Sequence, residues 1–182
     1  MSRKYKFYEK EDLYFVTYTV VNWIDVFTQN IYREVLLDSW NYCMKEKGLV
    51  IYAWVIMANH VHMIVSSNKE ELSNIMRDMK RYTSTTLKKL IADNPEESRK
   101  EWIQQLMKQA GEKNSNNKKF QFWQQHNHPI LLDSNYLLDQ KLDYIHNNPV
   151  KAGFVEEAED YLFSSARDYA DIKGLIDIEL IE

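Results

Sequence analysis

Apolar residues cluster along the chain in short runs that are typical of β-strands. The most apolar run spans Leu49–Val65 and changes character at Ala58-Asn59, which predicts a buried β-hairpin. A β-branched and aromatic run over Leu13–Val21 predicts a first strand, and Phe120–Trp123 predicts a further one. These segments together predict a sheet of four strands.

Three other segments repeat apolar residues at the spacing of an amphipathic helix. The first covers about residues 30–48 and ends at a glycine, and the second covers about residues 70–91. The third follows a candidate N-cap at Ser134. It is predicted to end by Asn148, because Pro149 disfavours a helical conformation in the residue before it.

The order of these elements predicts the fold class. Strand, helix, strand, strand, helix, strand is the order of the split βαβ, ferredoxin-like fold, which is an α+β architecture. Its antiparallel sheet carries helices on one face and leaves the opposite face available for a site. The helix after Ser134 is then an additional C-terminal helix, and it carries Tyr144.

Length and composition predict one globular domain over residues 1–182. The chain turns polar over about 93–119, around a short helical piece at Trp102–Met107, which predicts an insertion or loop. The net charge of −4 is unevenly distributed, because an acidic tail over about 154–182 holds nine acids and two bases. The rest of the chain is net positive, so a locally basic surface for nucleic acid is compatible with the composition.

Cysteine content and hydropathy limit the type of protein. The single cysteine, Cys43, excludes an internal disulfide framework and a cysteine-rich zinc site. The N-terminus shows no secretory signal, and the longest apolar run, Leu49–Ala58, is too short for the ~20 residues of a membrane-spanning helix. We therefore expect a cytoplasmic protein without membrane attachment.

Two histidines lie one residue apart in the second half of the predicted hairpin. Side chains alternate along a strand, so His60 and His62 point to the same face with their roots roughly 6.6 Å apart, which suits two ligands of one cation. The alternative is two polar side chains on a solvated edge strand. The apolar flanks weaken that alternative, since a buried imidazole without a partner costs about 1–3 kcal/mol.

A second pair of polar side chains lies on the third predicted helix. Tyr144 and Asn148 are four residues apart and so share one face of that helix. A phenol oxygen and an amide oxygen are then presented together, as a nucleophile beside a metal ligand requires. The alternative is that Tyr144, one of twelve tyrosines in the chain, is a packing residue with one end in solvent, as most tyrosines on an amphipathic helix are.

The two motifs in this order resemble a known family. Asn59-His-Val-His-Met-Ile-Val65, followed by Tyr144-Ile-His-Asn-Asn-Pro-Val-Lys-Ala-Gly153, resembles the HUH single-strand endonucleases that use one tyrosine. More narrowly, the chain is similar to the REP-associated tyrosine transposases and their insertion-sequence relatives. The resemblance implies that His60 and His62 bind a divalent cation, Mg²⁺ or Mn²⁺. It also implies that Tyr144 is the nucleophile and that Asn148 supplies a third metal ligand.

The same resemblance implies an activity and partners. Members of this family cut and rejoin single-stranded DNA beside a short hairpin, through a covalent 5′-phosphotyrosine. One tyrosine per chain means that two strand exchanges need two subunits or two rounds, so a homodimer is one expected assembly. A cytoplasmic protein of this kind is associated with the nucleoid when it is bound to DNA.

Basic side chains on the second predicted helix and at the end of the polar segment are candidate phosphate contacts. Trp123 is a candidate for stacking on a base, and a core position is the alternative for it. A solvated helix face is the alternative for the basic residues. A second His-x-His, at His126 and His128, ends at a proline in polar surroundings and is not assigned to the metal site. The basic candidates are Arg77, Lys80, Arg81, Lys88, Lys89, Lys118 and Lys119.

Two other functions are compatible with these residues. One is a protein that binds structured single-stranded nucleic acid without cutting it, and the other is a metal-dependent hydrolase that uses water at the same histidines. The presence of His60, His62 and Tyr144 together favours the transposase. A covalent link between protein and DNA distinguishes it from both alternatives.

Overall fold

The computed structural model describes residues 7, 9, 11–114, 119–125 and 129–181. No helix in this part of the chain is long and apolar enough to cross a membrane. The first two helices lie within two residues of their predicted bounds. The strands are β1 (Tyr14–Thr19), β2 (Leu49–Ile56), β3 (His60–Ser67) and β4 (Ile130–Leu131). The α-helices are α1 (Asn30–Lys47), α2 (Leu72–Asp93), α3 (Lys100–Glu112), α4 (Asn135–Lys151) and α5 (Ala166–Tyr169).

The four strands form one antiparallel sheet in the order β2-β3-β1-β4, which confirms the predicted ferredoxin-like topology. Helices α1 and α2 cover one face. The Tyr18 hydroxyl donates to the Met76 sulfur of α2, and the rings of Trp40 and Trp54 pack edge to face at 5.4 Å. Because side chains alternate along each strand, His62 projects to the opposite face, where α4 packs.

The fourth strand is not where the sequence predicts it. The segment Phe120–Trp123 forms only an isolated bridge, from Trp123 to Val20, while β4 pairs with the start of β1. The apolar pattern of this segment reflects core packing, since Phe122 and Trp123 are both buried. The edge of β1 is therefore covered by two short pieces of chain, and β4 has only two residues.

Helix α4 continues beyond its predicted end at Asn148. Proline lacks an amide hydrogen, so Pro149 forms no hydrogen bond to the carbonyl one turn earlier, yet its ring is buried and the helix runs to Lys151. The helix ends where Gly153 adopts a φ of +74°, a left-handed conformation that glycine tolerates. Asn148 thus lies inside a continuous helix, one turn after Tyr144.

The predicted polar insertion contains a helix that packs on the core. Helix α3 has 13 residues and is longer than the predicted piece at Trp102–Met107. Ile103 and Met107 are four residues apart, and both are almost fully buried. A regular helix with one buried face therefore occupies a large part of this segment.

The acidic tail runs along the free edge of β2. The Phe163 carbonyl accepts a hydrogen bond from the Ile56 amide at 2.9 Å, and the Ser165 amide donates to the Trp54 carbonyl at 2.9 Å. An open sheet edge is a surface on which another strand can pair. The tail occupies that position, on the side of the sheet away from β4.

Candidate active site

The two histidines of β3 lie side by side on the face of the sheet that α4 covers. Their ring centroids are 4.7 Å apart. His62 is 6% exposed, and His60 is half-buried. The strand alternation that predicts a shared face is therefore seen in the structure.

Each histidine has an oxygen partner at Nδ1. The Oδ1 atom of Asn59 lies 2.6 Å from His60 Nδ1, and the Thr17 hydroxyl lies 2.8 Å from His62 Nδ1. An amide oxygen only accepts, so the His60 proton is assigned to Nδ1. Thr17 lies opposite His62 in the register of β1 and β3, so strand pairing itself sets the second contact. These partners orient the rings and leave Nε2 of each ring available.

Burial keeps both imidazoles neutral at physiological pH. It lowers the pKa of His60 and, together with the nearby His60 and Lys141, lowers the pKa of His62 to about 3. A neutral imidazole keeps the lone pair that binds a metal. The protein environment thus favours the protonation state that a cation requires.

Tyr144 lies directly against this pair. Its hydroxyl is 3.4 Å from His62 Nε2, and its ring centroid is 5.0 Å from that of His62. Phe15 of β1 stacks on His62 at 5.3 Å and meets Tyr144 edge to face at 6.0 Å. Tyr144 is 38% exposed. The phenol oxygen therefore lies beside an imidazole, on a side chain that is partly exposed to solvent.

Lys141 adds a positive charge to the site and is not among the site residues predicted from the sequence. Its ammonium lies 5.0 Å from the Phe15 ring centroid and 5.7 Å from that of Tyr144. Within the described part of the chain, no carboxylate lies within ion-pair distance of it. Its position three residues before Tyr144 on a helix was the signal that could have found it.

The donors around the pair suit a divalent cation. No group of three or more His, Cys, Asp or Glu side chains among the described residues could hold a metal. Two imidazoles therefore need an amide, water or substrate oxygens to complete the coordination of Mg²⁺ or Mn²⁺. Asn148 is half-buried one turn from Tyr144, and its side chain makes no hydrogen bond to a described residue. His146 instead bonds to the Ser165 hydroxyl at 3.0 Å.

Three of the basic candidates line a groove between α2 and residues 120–125. Arg77, Lys80 and Arg81 face a cavity of about 440 Å³. The Lys80 ammonium donates to the Gln124 carbonyl at 2.9 Å, and burial lowers its pKa to about 8. Lys80 is thus partly engaged by the protein. Both arginines are exposed, and Arg77 also pairs with Asp78 at 3.2 Å and donates to Asn74 at 2.9 Å.

The remaining basic candidates are dispersed. Lys88 lies over the Phe120 ring at 4.7 Å, beside the groove. Lys89 lies roughly 120° around α2 from Arg77 and so faces elsewhere. Lys119 is exposed next to the groove segment. Lys118, like the rival pair His126 and His128, lies outside the described residues.

Trp123 does not present its ring for stacking on a base. It is 5% exposed, its indole nitrogen donates to the Thr83 hydroxyl at 3.0 Å, and its ring stacks on Phe27 at 5.7 Å. The candidate role in base stacking is therefore corrected to a role in the core. Because its ring face and its nitrogen both find protein partners, Trp123 does not expose a face on which a base could stack.

Replacing Thr17 with valine tests the oxygen partner of His62. Valine keeps the shape of the side chain but leaves Nδ1 unpaired in a buried site, so we expect about 10- to 100-fold weaker Mn²⁺ binding. Thr19→Val is the matched control, because Thr19 is buried on the same strand face and its side chain bonds to no described residue. Titration calorimetry measures the Mn²⁺ affinity of both variants. Equal affinities would show that Thr17 does not orient His62 for metal binding.

Comparison with known proteins identifies the family and the fold of this chain. One of five matching chains of solved structures is described as "Structure of the REP associates tyrosine transposase bound to a REP hairpin". It is 20% identical, with a TM-score of 0.67 over 100% of this chain and 95% of that chain, which establishes a shared fold. No curated protein sequence matches the chain. The sequence model of the family "Transposase IS200 like" matches residues 13–106, which is just over half of the chain and includes both histidines. The protein belongs to the IS200-like transposase family.

Proposed function

We propose that this transposase cuts and rejoins single-stranded DNA through a covalent 5′-phosphotyrosine at Tyr144. The observation that carries the proposal is the 3.4 Å approach of the Tyr144 hydroxyl to His62 Nε2, with His60 alongside. A nucleophile and two neutral imidazoles at one accessible point suit an attack on a phosphodiester.

The reaction exchanges one phosphate ester for another. The Tyr144 hydroxyl loses its proton, and its oxygen forms a bond to phosphorus. The bond from phosphorus to the 3′ oxygen breaks, and that oxygen takes up a proton. The 5′ end is then esterified to the protein and a 3′-hydroxyl is free. Because the ester bond is retained, attack by a 3′-hydroxyl reverses the step and joins strands, which hydrolysis cannot do.

Three side chains would hold a cation beside the phosphate during this exchange. His60 and His62 would bind Mg²⁺ or Mn²⁺, with Asn148 as a third ligand. A bound cation supplies positive charge to the non-bridging oxygens, which lowers the barrier to attack. Lys141 supplies a second positive charge near the Tyr144 ring, where the phenolate develops. Phe15 fixes the position of the phenol by packing on both rings.

The DNA would reach this site along the groove beside α2. The Gln124 amide donates to the Thr19 carbonyl at 2.8 Å, and Thr19 lies opposite His60 in the sheet, so the groove segment borders β1, one strand away from the histidines, and the DNA would pass around this edge of the sheet. Arginines in such a groove bind phosphates irrespective of sequence. The similar structure is described as bound to a REP hairpin. We therefore include a DNA hairpin beside the cut strand in the proposal.

Replacing Arg81 with glutamine tests the groove. Arg81 is exposed, and a lost phosphate contact lowers the slope of log affinity against log salt by about 0.7 for a single strand. Lys89→Gln removes the same charge from another side of α2 and is expected to change the slope much less. Fluorescence anisotropy with labelled single-stranded DNA at several salt concentrations measures both. Equal slopes for the two variants would place the DNA path elsewhere.

A labelled-strand assay tests the proposed activity. Single-stranded DNA carrying a hairpin is incubated with the protein and Mn²⁺ and then analysed on a denaturing gel. A 3′-labelled strand is expected to become linked to the protein, while a 5′-labelled strand is released with a 3′-hydroxyl. Cutting without a linked product would favour a hydrolase that uses water. Binding with neither product would favour a protein that does not cut.

A further inference from the structure

An exposed tryptophan stands at the edge of the site and is not explained by packing. Trp23 lies in a short 3₁₀ turn, Val21–Trp23, that follows β1, and it is 61% exposed. Its φ is 56°, and that of Asn22 is 55°. A bulky residue in the left-handed region is strained, by of order 1–3 kcal/mol, and such strain persists where the surrounding structure holds it. Neither the exposure nor the backbone of Trp23 stabilises the fold.

The surrounding structure ties Trp23 to the histidine pair. The Asn59 side chain donates to the Trp23 carbonyl at 3.2 Å, while its Oδ1 atom accepts from His60 Nδ1. The Trp23 ring lies 6.1 Å from that of His60, edge to face. Val21 and Ile24 on either side are buried and anchor the turn. One asparagine thus contacts both the backbone that carries the exposed ring and a residue of the site.

We propose that Trp23 is a stacking platform for an unpaired DNA base next to the phosphodiester that Tyr144 attacks. This deepens the proposed function and rests on it. Successive nucleotides of a strand are about 3.4 Å apart along the axis of a duplex and farther apart in an extended single strand, so a ring 6.1 Å from His60 lies within two nucleotides of a phosphate held there. Every base has a face that stacks on an aromatic ring, and the indole offers a large one.

The chemistry of the neighbourhood favours a nucleotide as the occupant. Lys141 makes the adjoining site positive, and a cation that His60 and His62 would hold would add to this charge, which suits a phosphate beside the base. The backbone that carries the ring is held in place by Asn59 before DNA arrives, which reduces the entropy lost when a base stacks on the ring. The strained turn is then the cost of presenting the ring at this point.

The test compares two substitutions of Trp23 in a Tyr144→Phe background, which prevents cutting. Asparagine tolerates the left-handed backbone and removes the ring, so Trp23→Asn keeps the turn. Trp23→Tyr keeps an aromatic face. The probes are a labelled oligothymidylate of about 20 nucleotides and a strand of equal length that carries abasic sugars throughout. Tyr42→Ala is the control, because Tyr42 is 60% exposed on α1, which covers the other face of the sheet.

Stacking on one base predicts a loss of roughly 5- to 100-fold in affinity for the oligothymidylate with Trp23→Asn. Affinity for the abasic strand is expected to be the same as before the substitution, since phosphate contacts remain. Trp23→Tyr and Tyr42→Ala are expected to stay within about threefold. Equal binding of the oligothymidylate with and without the ring would overturn the stacking role alone. Absence of DNA binding by the unaltered protein would overturn the proposed function as well.

Discussion

Replacing Tyr144 with phenylalanine is expected to abolish the covalent protein–DNA product and to lower cutting by at least about 10³-fold. The substitution removes one oxygen and keeps the ring that packs on His62 and Phe15. The hydroxyl is accessible and makes one long hydrogen bond, so the free energy of unfolding should change by less than about 1 kcal/mol. Binding of single-stranded DNA should remain, which separates loss of the nucleophile from loss of the site.

Tyr136→Phe is the matched control for this substitution. Tyr136 lies on the same helix and is 77% exposed, so its phenol is the most accessible on α4. Denaturing gels with 3′-labelled DNA compare the two variants with the unaltered protein. A covalent product at the normal level with Tyr144→Phe would contradict the proposed nucleophile. A loss of product with Tyr136→Phe and not with Tyr144→Phe would identify Tyr136 as the nucleophile.

Replacing His62 with alanine is expected to remove Mn²⁺ binding at micromolar concentrations and to lower cutting by roughly 10²- to 10⁴-fold. His62 is 6% exposed and contacts Tyr144, so a side chain on the surface could not take its place as a ligand after the substitution. The proposed cation would keep a single imidazole, and charge neutralisation at the phosphate would be lost. Titration calorimetry measures the cation affinity, and single-turnover kinetics measures cutting.

His146→Ala is the control for cation binding. This histidine is also mostly buried, and burial lowers its pKa to about 4, but its ring packs on Tyr169 and bonds to Ser165. It therefore resembles His62 in environment without facing the site. Its replacement should leave the Mn²⁺ affinity within about threefold. Equal Mn²⁺ affinity for His62→Ala and the unaltered protein would show that the pair does not hold the cation.

Much of the site follows from local sequence periodicity. Alternation in β3 predicts that His60 and His62 share a face, and a four-residue spacing predicts that Tyr144 and Asn148 share another. Each prediction depends only on the residue spacing within one strand or one helix, so it can be made before the fold is known. The order of elements then predicts a sheet face available for a site, and the structure brings Tyr144 and His62 together there.

The partners of these residues depend on contacts between elements that no local pattern contains. Thr17 reaches His62 through the register of β1 and β3, and the position of Lys141 over Phe15 depends on how α4 packs on the sheet. Trp23 is exposed because of a left-handed turn that its sequence does not favour. The segment around Trp123 is predicted as a strand for a related reason. A buried aromatic residue has the same sequence pattern in a hydrogen-bonded strand as in a core segment that pairs with no strand.

Mass spectrometry of the trapped product tests the proposed mechanism most directly. The protein is incubated with hairpin-bearing single-stranded DNA and Mn²⁺, the DNA is trimmed with a nuclease, and the protein is digested. The proposed mechanism predicts a 5′-phosphonucleotide on the phenolic oxygen of Tyr144 and on no other residue. A nucleotide on a different side chain, or cut DNA with an unmodified Tyr144 peptide under trapping conditions, would contradict it.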